Sequence, residues 1–207
     1  MDPQRLYTLA SRFYDLGLRL NRYSAAVHEF VAAIPLPREG PIRVLDAGCG
    51  TGLYSLAVAR AFPRARVSAF DLNEAMLARL REKTIRLGVA TRVKTFEHDA
   101  RRPVPGIPPG GLDLIVSGGL LEYVEPADAL ASLGPLLRKG GIYLNSPVKD
   151  GWPGRLVGAL SGFRPLARSS LLAAFEAEGF RLVSEIELPR MYWPISAVKV
   201  GHVFEKV

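Results

Sequence analysis

Residues 44–52 of this chain have the sequence Val44-Leu45-Asp46-Ala47-Gly48-Cys49-Gly50-Thr51-Gly52, and this stretch decides the fold. Its first part is apolar enough for a buried strand, and its second part has glycine at every second position. A backbone that lacks side chains at alternate residues, just past a strand end, lets a ligand approach closely. The apolar residues that follow predict a helix whose N-terminal amides face that ligand.

The spacing of the glycines and of the next acidic residue limits the choice of ligand. Asp71 stands 21 residues after Gly50, at the end of the next predicted strand, where a carboxylate that binds ribose is found. The dinucleotide pattern G-x-G-x-x-G is broken because its sixth position is Leu53. A Walker loop needs Gly-Lys-Ser/Thr before the helix, which is absent. A nicotinamide-dependent oxidoreductase is therefore disfavoured.

Length and composition predict one cytoplasmic domain without a bound metal. The 207 residues suffice for one full core, and 48% of them are hydrophobic. No apolar run approaches the roughly 18 residues of a transmembrane segment, and the first residues lack a secretory signal. The single cysteine excludes an internal disulfide, and no cluster has metal-ligand spacing. The net charge of +7 permits nucleic acid as a partner, but the scattered arginines do not favour it.

Strand and helix patterns alternate through residue 179. This alternation predicts a mostly parallel sheet with helices on both faces. Helical periodicity covers residues 5–34, and Asn73 is a candidate N-cap for a later helix. Predicted strands cover residues 42–46, 66–72, 92–98, 112–117 and 142–147, followed by an antiparallel pair at 181–188 and 198–206. Residues 150–168 are rich in glycine and proline, and we expect them to be irregular.

Further motifs follow the glycine run in a fixed order: Phe70-Asp71-Leu72, His98-Asp99-Ala100 and Asp113-Leu114-Ile115-Val116-Ser117. With these motifs the chain resembles class I S-adenosylmethionine-dependent methyltransferases, of a small-molecule or quinone-biosynthesis-like subgroup. The resemblance implies an α/β Rossmann-like sheet of seven strands in the order 3-2-1-4-5-7-6, with strand 7 antiparallel. It implies a single domain with a helical cap at 1–37, a cofactor-binding core at 41–148, a substrate lid at 150–168, and a helix and β-hairpin at 169–207.

The resemblance also implies S-adenosylmethionine as the cofactor and assigns roles to the first two motifs. Gly48, Gly50 and Gly52 would let the backbone lie against the methionyl and ribose parts. Asp46 would order this loop and reach the methionyl ammonium. Asp71 would accept hydrogen bonds from both ribose hydroxyls, a role suited to an ionised carboxylate.

Later residues would complete the cofactor site. Leu72 would cover one face of the adenine, while Asp99 and the backbone amide of Ala100 would bind its edge. The carbonyl of Ser117, at the exit of the fourth strand, would accept from the methionyl ammonium. Alternatively, Asp99 only caps its loop and Ser117 only ends a strand. Cys49 has no histidine near it in sequence, and we interpret it as a small filler rather than a nucleophile. As part of the glycine loop it counts among the candidate cofactor-binding residues.

A general base is needed only if the methyl acceptor must lose a proton. Four residues are candidates for that role: His28, Tyr14, Glu122 and Tyr123. Tyr14 is also similar to the N-terminal tyrosine that closes over the cofactor in many small-molecule methyltransferases. It therefore counts among the candidate cofactor-binding residues as well.

The sequence favours a small-molecule or lipid-like acceptor. Relatives that methylate base or glutamine amino groups carry Asn/Asp-Pro-Pro-Tyr/Phe after the fourth strand, where this chain has Ser117-Gly118-Gly119-Leu120. Residues 150–168, with their aromatic and cationic side chains, stand where this family inserts a substrate lid. Two alternatives stay open: an RNA-directed methyltransferase, and a catalytically silent S-adenosylmethionine-binding partner subunit.

Overall fold

A computed structural model describes residues 23–207, in which helices and strands alternate. The strands are β1 (Arg43–Ala47), β2 (Arg66–Asp71), β3 (Val93–Glu97), β4 (Leu112–Ser117), β5 (Leu137–Asn145), β6 (Phe180–Glu187) and β7 (Val200–Lys206). The helices are α1 (Tyr23–Ala32), α2 (Leu53–Ala61), α3 (Glu74–Arg86), α4 (Pro126–Leu133), α5 (Trp152–Ser161), α6 (Arg168–Ala177) and α7 (Ile195–Val198). Short 3₁₀ turns lie at Gly134–Leu136 and Arg190–Tyr192.

The seven strands form one sheet in the order β3-β2-β1-β4-β5-β7-β6. Strands β1 to β5 pair in parallel, while β7 runs antiparallel to both β5 and β6. The predicted fold class and strand order are therefore confirmed. The carboxyl ends of β1 to β5 and the first residues of β7 lie along one edge, which we call the carboxyl edge. The order of the strands reverses between β1 and β4, and ligands of open α/β sheets bind at such a point.

The core lies on both faces of the sheet. Consecutive residues of β1 alternate between them: Val44 packs against α1, α2 and α3, whereas Leu45 packs against α4 and α6. Because both faces are covered, β1 and β4 are nearly uninterrupted runs of buried residues. The central strands are thus held firmly, and they present the loops at the carboxyl edge.

Helix boundaries agree with the sequence where capping signals are present. The side chain of Asn73 accepts hydrogen bonds from the backbone amides of Ala75 and Met76, so the predicted N-cap of α3 is confirmed. Helix α1 lies within residues 5–34, for which the sequence predicts helix. Tyr14 and the rest of residues 1–22 lie outside the described residues.

The expectation that residues 150–168 are irregular was wrong, because α5 occupies much of this segment. Its two internal glycines lie on the packed face of the helix. A Cβ on Gly154 would stand 1.9 Å from the carbonyl oxygen of Lys149, and one on Gly158 would stand 2.6 Å from that of Phe163. These glycines permit close helix packing rather than a turn, and composition alone does not distinguish the two.

The predicted start of the fifth strand at residue 142 was also wrong. Strand β5 begins at Leu137 and runs through Gly140 and Gly141, with a register shift against β4 between Leu112 and Leu114. Gly140 has a φ of +71°, which bends the strand without ending it. A glycine pair that the sequence presents as a turn is here a strand irregularity.

The glycine loop between β1 and α2 is packed against α3 at its last residue. Gly52 has a φ of +83°, and a Cβ there would lie 2.1 Å from Cδ1 of the fully buried Leu80. Only glycine meets both constraints without strain.

We expect Gly52→Ala to lower the free energy of unfolding by about 2–4 kcal/mol, since a left-handed backbone conformation and overpacking both contribute. Gly88→Ala is the matched control, because Gly88 has a φ of +66° but no atom in the described part of the chain lies within 4 Å of the added Cβ. It should lose only about 1–2 kcal/mol. Urea unfolding of both variants measures the difference, and equal losses would show that the contact with Leu80 is unimportant.

Candidate active site

The glycine loop is tied to the end of β2 by backbone hydrogen bonds. The amide of Cys49 donates to the carbonyl oxygen of Phe70 at 2.8 Å, and the amide of Gly50 donates to Oδ2 of Asp71 at 2.8 Å. The other carboxylate oxygen of Asp71 accepts from the amide of Asn73 at 2.9 Å. One carboxylate therefore joins two loops of the carboxyl edge, and each of its oxygens can accept a further hydrogen bond.

The surface beside this carboxylate is open to a ligand. Gly50 has a φ of +52°, and no atom of residues 23–207 lies within 4 Å of a Cβ built on it. Leu72, which directly follows Asp71, is 61% exposed despite its apolar side chain. A bare backbone, an oriented carboxylate and an exposed leucine thus adjoin one another at the exits of β1 and β2.

Asp46 lies beneath the glycine loop at the end of β1 and is only 1% exposed. Its Oδ2 accepts from the backbone amide of Ser55 at 2.8 Å and from the Ser55 hydroxyl at 2.6 Å, which orders the first turn of α2. Its Oδ1 is buried and accepts no hydrogen bond from a described residue. Burial raises the pKa of Asp46 to about 7 against the lowering effect of the Ser55 hydrogen bonds. A cation beside Oδ1 would satisfy this atom and restore the charged form.

The carboxylate of Asp99 accepts hydrogen bonds from within its own loop. Its two carboxylate oxygens accept from Nε and Nη2 of Arg101, and Oδ1 also accepts from the Arg101 amide. These hydrogen bonds hold the pKa of Asp99 well below its usual range. Ala100, between them, is buried. Asp99 thus caps its own loop. An adenine amine that donated to Asp99 would do so beside the hydrogen bonds from Arg101.

Ser117, at the end of β4, is fully buried. Its hydroxyl donates to Oδ1 of Asn145 at 2.9 Å, and its carbonyl oxygen accepts from the amide of Ser146 at 2.8 Å. Both groups thus hold β4 to the exit of β5. The carbonyl keeps one lone pair for a ligand.

Glu122 and Tyr123 lie on the loop that leaves β4. Oε1 of Glu122 accepts from the amide of Val148 at 2.7 Å, whereas Oε2 is buried and has no hydrogen bond among residues 23–207. Tyr123 is 62% exposed, and its ring packs against Phe163 at 5.2 Å. Burial of its hydroxyl end and the charge of Glu122 raise the pKa of Tyr123, while Lys199 lowers it. Glu122 and Lys199 therefore both act electrostatically on this tyrosine.

His28 lies in a different groove from Glu122 and Tyr123. It lines a groove of about 640 Å³ along the outer side of α2, together with Arg60 and residues at the end of α3. Burial and the charge of Arg60 lower its pKa, so the imidazole is held neutral. The structure does not bring His28 together with Glu122 and Tyr123. Cys49 is buried in the glycine loop, and burial raises the pKa of its thiol far above the usual range, as expected for a small filler.

Sequence reasoning missed a polar cluster beside the β4 and β5 exits, formed by Tyr23, Tyr54, Ser146 and Lys199. The three hydroxyl groups are buried, and none makes a hydrogen bond of good geometry with a described residue. Nζ of Lys199 donates to the carbonyl oxygen of Ser146 at 2.9 Å. The four residues of the cluster come from segments that are far apart in the sequence. No local spacing of residues therefore predicts the cluster.

No group of three or more His, Cys, Asp or Glu side chains among residues 23–207 could hold a metal ion. None of the helices in the described part has the length and apolar character needed to cross a membrane.

Comparison with known proteins agrees with this geometry. A family model described as a methyltransferase domain matches residues 44–141. An uncharacterized protein of Synechococcus is 38% identical over 107 residues, covering 51% of this chain and 25% of that protein. A ubiquinone biosynthesis O-methyltransferase of Xanthomonas campestris is 33% identical over 147 residues, covering 68% of this chain and 57% of that protein. The chain thus spans between a quarter and somewhat over half of these curated relatives.

A solved structure shows the same fold. Geranyl diphosphate C-methyltransferase from Streptomyces coelicolor, in complex with Mg²⁺, geranyl diphosphate and S-adenosyl-L-homocysteine, superposes with a TM-score of 0.76 at 18% identity. The match covers 90% of this chain and 80% of that one. The fold and the order of the motifs agree with the family match. Residues 44–141 of this chain therefore carry a methyltransferase domain.

The raised pKa of Asp46 predicts a pH-dependent stability. Between about pH 4 and 7 the folded protein keeps a proton on Asp46 that the unfolded chain has lost, so raising the pH favours unfolding. The effect is complete above about pH 7 and should amount to a few kcal/mol, since a tenfold change in proton affinity is about 1.4 kcal/mol.

Asp46→Asn should remove this contribution. We expect the stability of the variant relative to wild type to rise from pH 4 to pH 7 and then to level off, as measured by urea unfolding at a series of pH values. Parallel pH curves for the two proteins would contradict the assignment.

Proposed function

We propose that this protein transfers a methyl group from S-adenosylmethionine to a small-molecule or lipid-like acceptor. The observation that carries the proposal is the open backbone at Gly50 beside the carboxylate of Asp71. The positive φ there, and the empty space where a Cβ would stand, fit a ligand lying directly on the glycine loop. Asp71 then has free acceptor capacity for ribose hydroxyls, and Leu72 offers an apolar surface for the adenine.

The other end of the cofactor fits the buried acid. S-adenosylmethionine carries an ammonium group, and Oδ1 of Asp46 is a buried acceptor without a described partner. The remaining lone pair of the Ser117 carbonyl supplies a second acceptor at the same strand exits. Asp99 fits less simply, because Arg101 already occupies both of its oxygens. We therefore propose that Ala100 and Leu72 contribute more to adenine binding than Asp99 does.

When bound, S-adenosylmethionine supplies a methyl group on a sulfonium, whose leaving group is already activated. The protein has to hold the acceptor close and in line, and to exclude water from it. A base is required where the acceptor must lose a proton. Glu122 is the best placed of the candidates: the Val148 amide fixes one oxygen, and the other is buried and free of described hydrogen bonds. Tyr123 is more exposed, and His28 faces a different groove.

The relatives support a small acceptor. The names of the Xanthomonas and Streptomyces proteins refer to ubiquinone biosynthesis and to geranyl diphosphate, which are small or lipid-like molecules. Helix α5 presents exposed apolar side chains, Trp152, Leu156 and Leu160, at intervals of four residues. We propose that residues 150–168 form a lid over such an acceptor, with the ring contact between Tyr123 and Phe163 joining it to the site.

Gly50→Ala tests the cofactor site. Its added methyl would occupy the space proposed for the ligand, so we expect micromolar S-adenosylmethionine binding by wild type to weaken at least tenfold. Gly88→Ala carries the same backbone strain far from the loop and should bind as wild type does. Calorimetric titration with S-adenosylmethionine, and separately with NADH, measures this. Failure of folded wild type to bind S-adenosylmethionine, or tighter binding of NADH, would overturn the proposed function.

Glu122→Gln tests the proposed base. The amide can still accept from Val148 but cannot take up a proton, so we expect kcat to fall about 10²–10⁴-fold with S-adenosylmethionine affinity unchanged. The measurement is methyl transfer to acceptors found by screening small aromatic and lipid-like molecules that lose a proton. Glu125→Gln is the matched control, being exposed on the same loop and without a side-chain cap. Wild-type kcat and an unchanged pH profile in Glu122→Gln would exclude it as the base.

A further inference from the structure

Lys199 is a buried lysine that the proposed function does not use. It immediately precedes β7 and is only 8% exposed. Its Nζ donates to the carbonyl oxygen of Ser146 and lies 5.8 Å from the centre of the Tyr23 ring. Among residues 23–207, no carboxylate lies within ion-pair distance of it. Burying an ammonium is costly without compensation, and its three protons can serve three acceptors.

The position of Lys199 is at the carboxyl edge of the sheet. A Cβ built on Gly119, in the loop that leaves β4, would lie 3.5 Å from Nζ, and Ser146 directly follows β5. The ammonium therefore stands over the exits of β4 and β5. Asp71 and Leu72, at the exit of β2, lie on the other side of the point where the strand order reverses. A cofactor over β1 and β2 whose methionyl end reaches Ser117 leaves the region beyond Ser117, toward β5, for the second substrate.

The surroundings of Nζ suit an anion. The buried hydroxyl groups of Tyr23 and Ser146 face the buried hydroxyl of Tyr54, and each of the three can donate a hydrogen bond. The charges of Glu122 and Lys199 both act on the hydroxyl of Tyr123, so both groups lie near the same tyrosine. An acceptor held at Lys199 would thus be close to the proposed base.

A lysine at the other end of β7 allows a comparison with Lys199. Lys206, near the end of β7, makes the same kinds of contact: its Nζ donates to the carbonyl oxygen of Glu178 and lies 4.7 Å from the Phe180 ring. Lys206 is only half-buried and stands at the opposite edge of the sheet. Lys206 thus shows that a lysine can donate to a carbonyl oxygen without its ammonium being buried at the carboxyl edge.

We propose that Lys199 binds an anionic group of the methyl acceptor, a carboxylate or a phosphate, so that the enzyme acts on acidic small molecules. This proposal rests on the proposed function, of which it specifies the substrate class. The ammonium contributes charge-assisted hydrogen bonds, which discriminate an acid from its neutral counterpart. The three hydroxyl groups contribute further donors around the same anion.

The test uses the full chain saturated with S-adenosylhomocysteine and two matched pairs of probes. 4-Hydroxybenzoate is compared with its methyl ester, and geranyl diphosphate with geraniol, by calorimetric titration. We expect wild type to bind at least one acid more tightly than its neutral partner. Lys199→Met should lower the binding affinity for that acid at least tenfold and leave the affinity for its neutral partner unchanged. Lys206→Met, the control, should behave as wild type, and the preferred pair distinguishes a carboxylate from a phosphate.

Other results overturn the proposal. It is wrong if neither acid binds wild type better than its neutral partner, or if Lys199→Met binds both acids as wild type does. Where Lys199→Met unfolds, Lys199→Gln replaces it, since its amide can still donate to Ser146 without a charge. Binding of S-adenosylhomocysteine is measured first: its absence refutes the proposed function, whereas its presence without an acid preference refutes only the role of Lys199.

Discussion

The carboxylate of Asp71 is the contact on which the architecture of the site depends. It accepts one hydrogen bond from the backbone amide of Gly50 and another from the backbone amide of Asn73. Because these amides belong to successive loops, the exits of β1 and β2 are fixed to each other. These amides would otherwise be unsatisfied at a sheet edge. The glycine loop keeps its left-handed conformations because this carboxylate and the packing of Gly52 on Leu80 hold it from two sides. Replacing Asp71 would therefore disturb the loop as well as any ribose contact.

Charge is distributed unevenly around this anchor. Two acids, Asp46 and Asp71, stand at the exits of β1 and β2, where a cationic, hydroxyl-bearing cofactor fits. The buried ammonium of Lys199 stands over β4 and β5 beside several hydroxyl groups. Such a division favours ligand groups of opposite charge at the two ends of one edge. Buried polar atoms of Asp46, Glu122 and Ser146 that have no hydrogen bond to a described residue lie along this edge.

The sequence predicted the parts of the molecule whose physics is local. Strand β4 was predicted with its observed ends, and Asn73 was recognised as the cap of α3, because apolar runs and caps act over a few residues. The predictions failed where glycine has a structural role other than forming a turn. Gly154 and Gly158 permit close packing of α5, and Gly140 bends β5, yet all three resemble turn residues in the sequence.

By itself, the sequence determined the sheet, its strand order through family resemblance, and the glycine loop with Asp46 and Asp71 at strand ends. Periodicity and motif spacing encode these directly, since they involve neighbouring residues. Only the tertiary structure decided that Asp99 is held by Arg101, that His28 faces another groove, and that Lys199 joins Tyr23, Tyr54 and Ser146. These facts depend on which distant segments the fold brings together and on how much water it removes, and no local pattern records either.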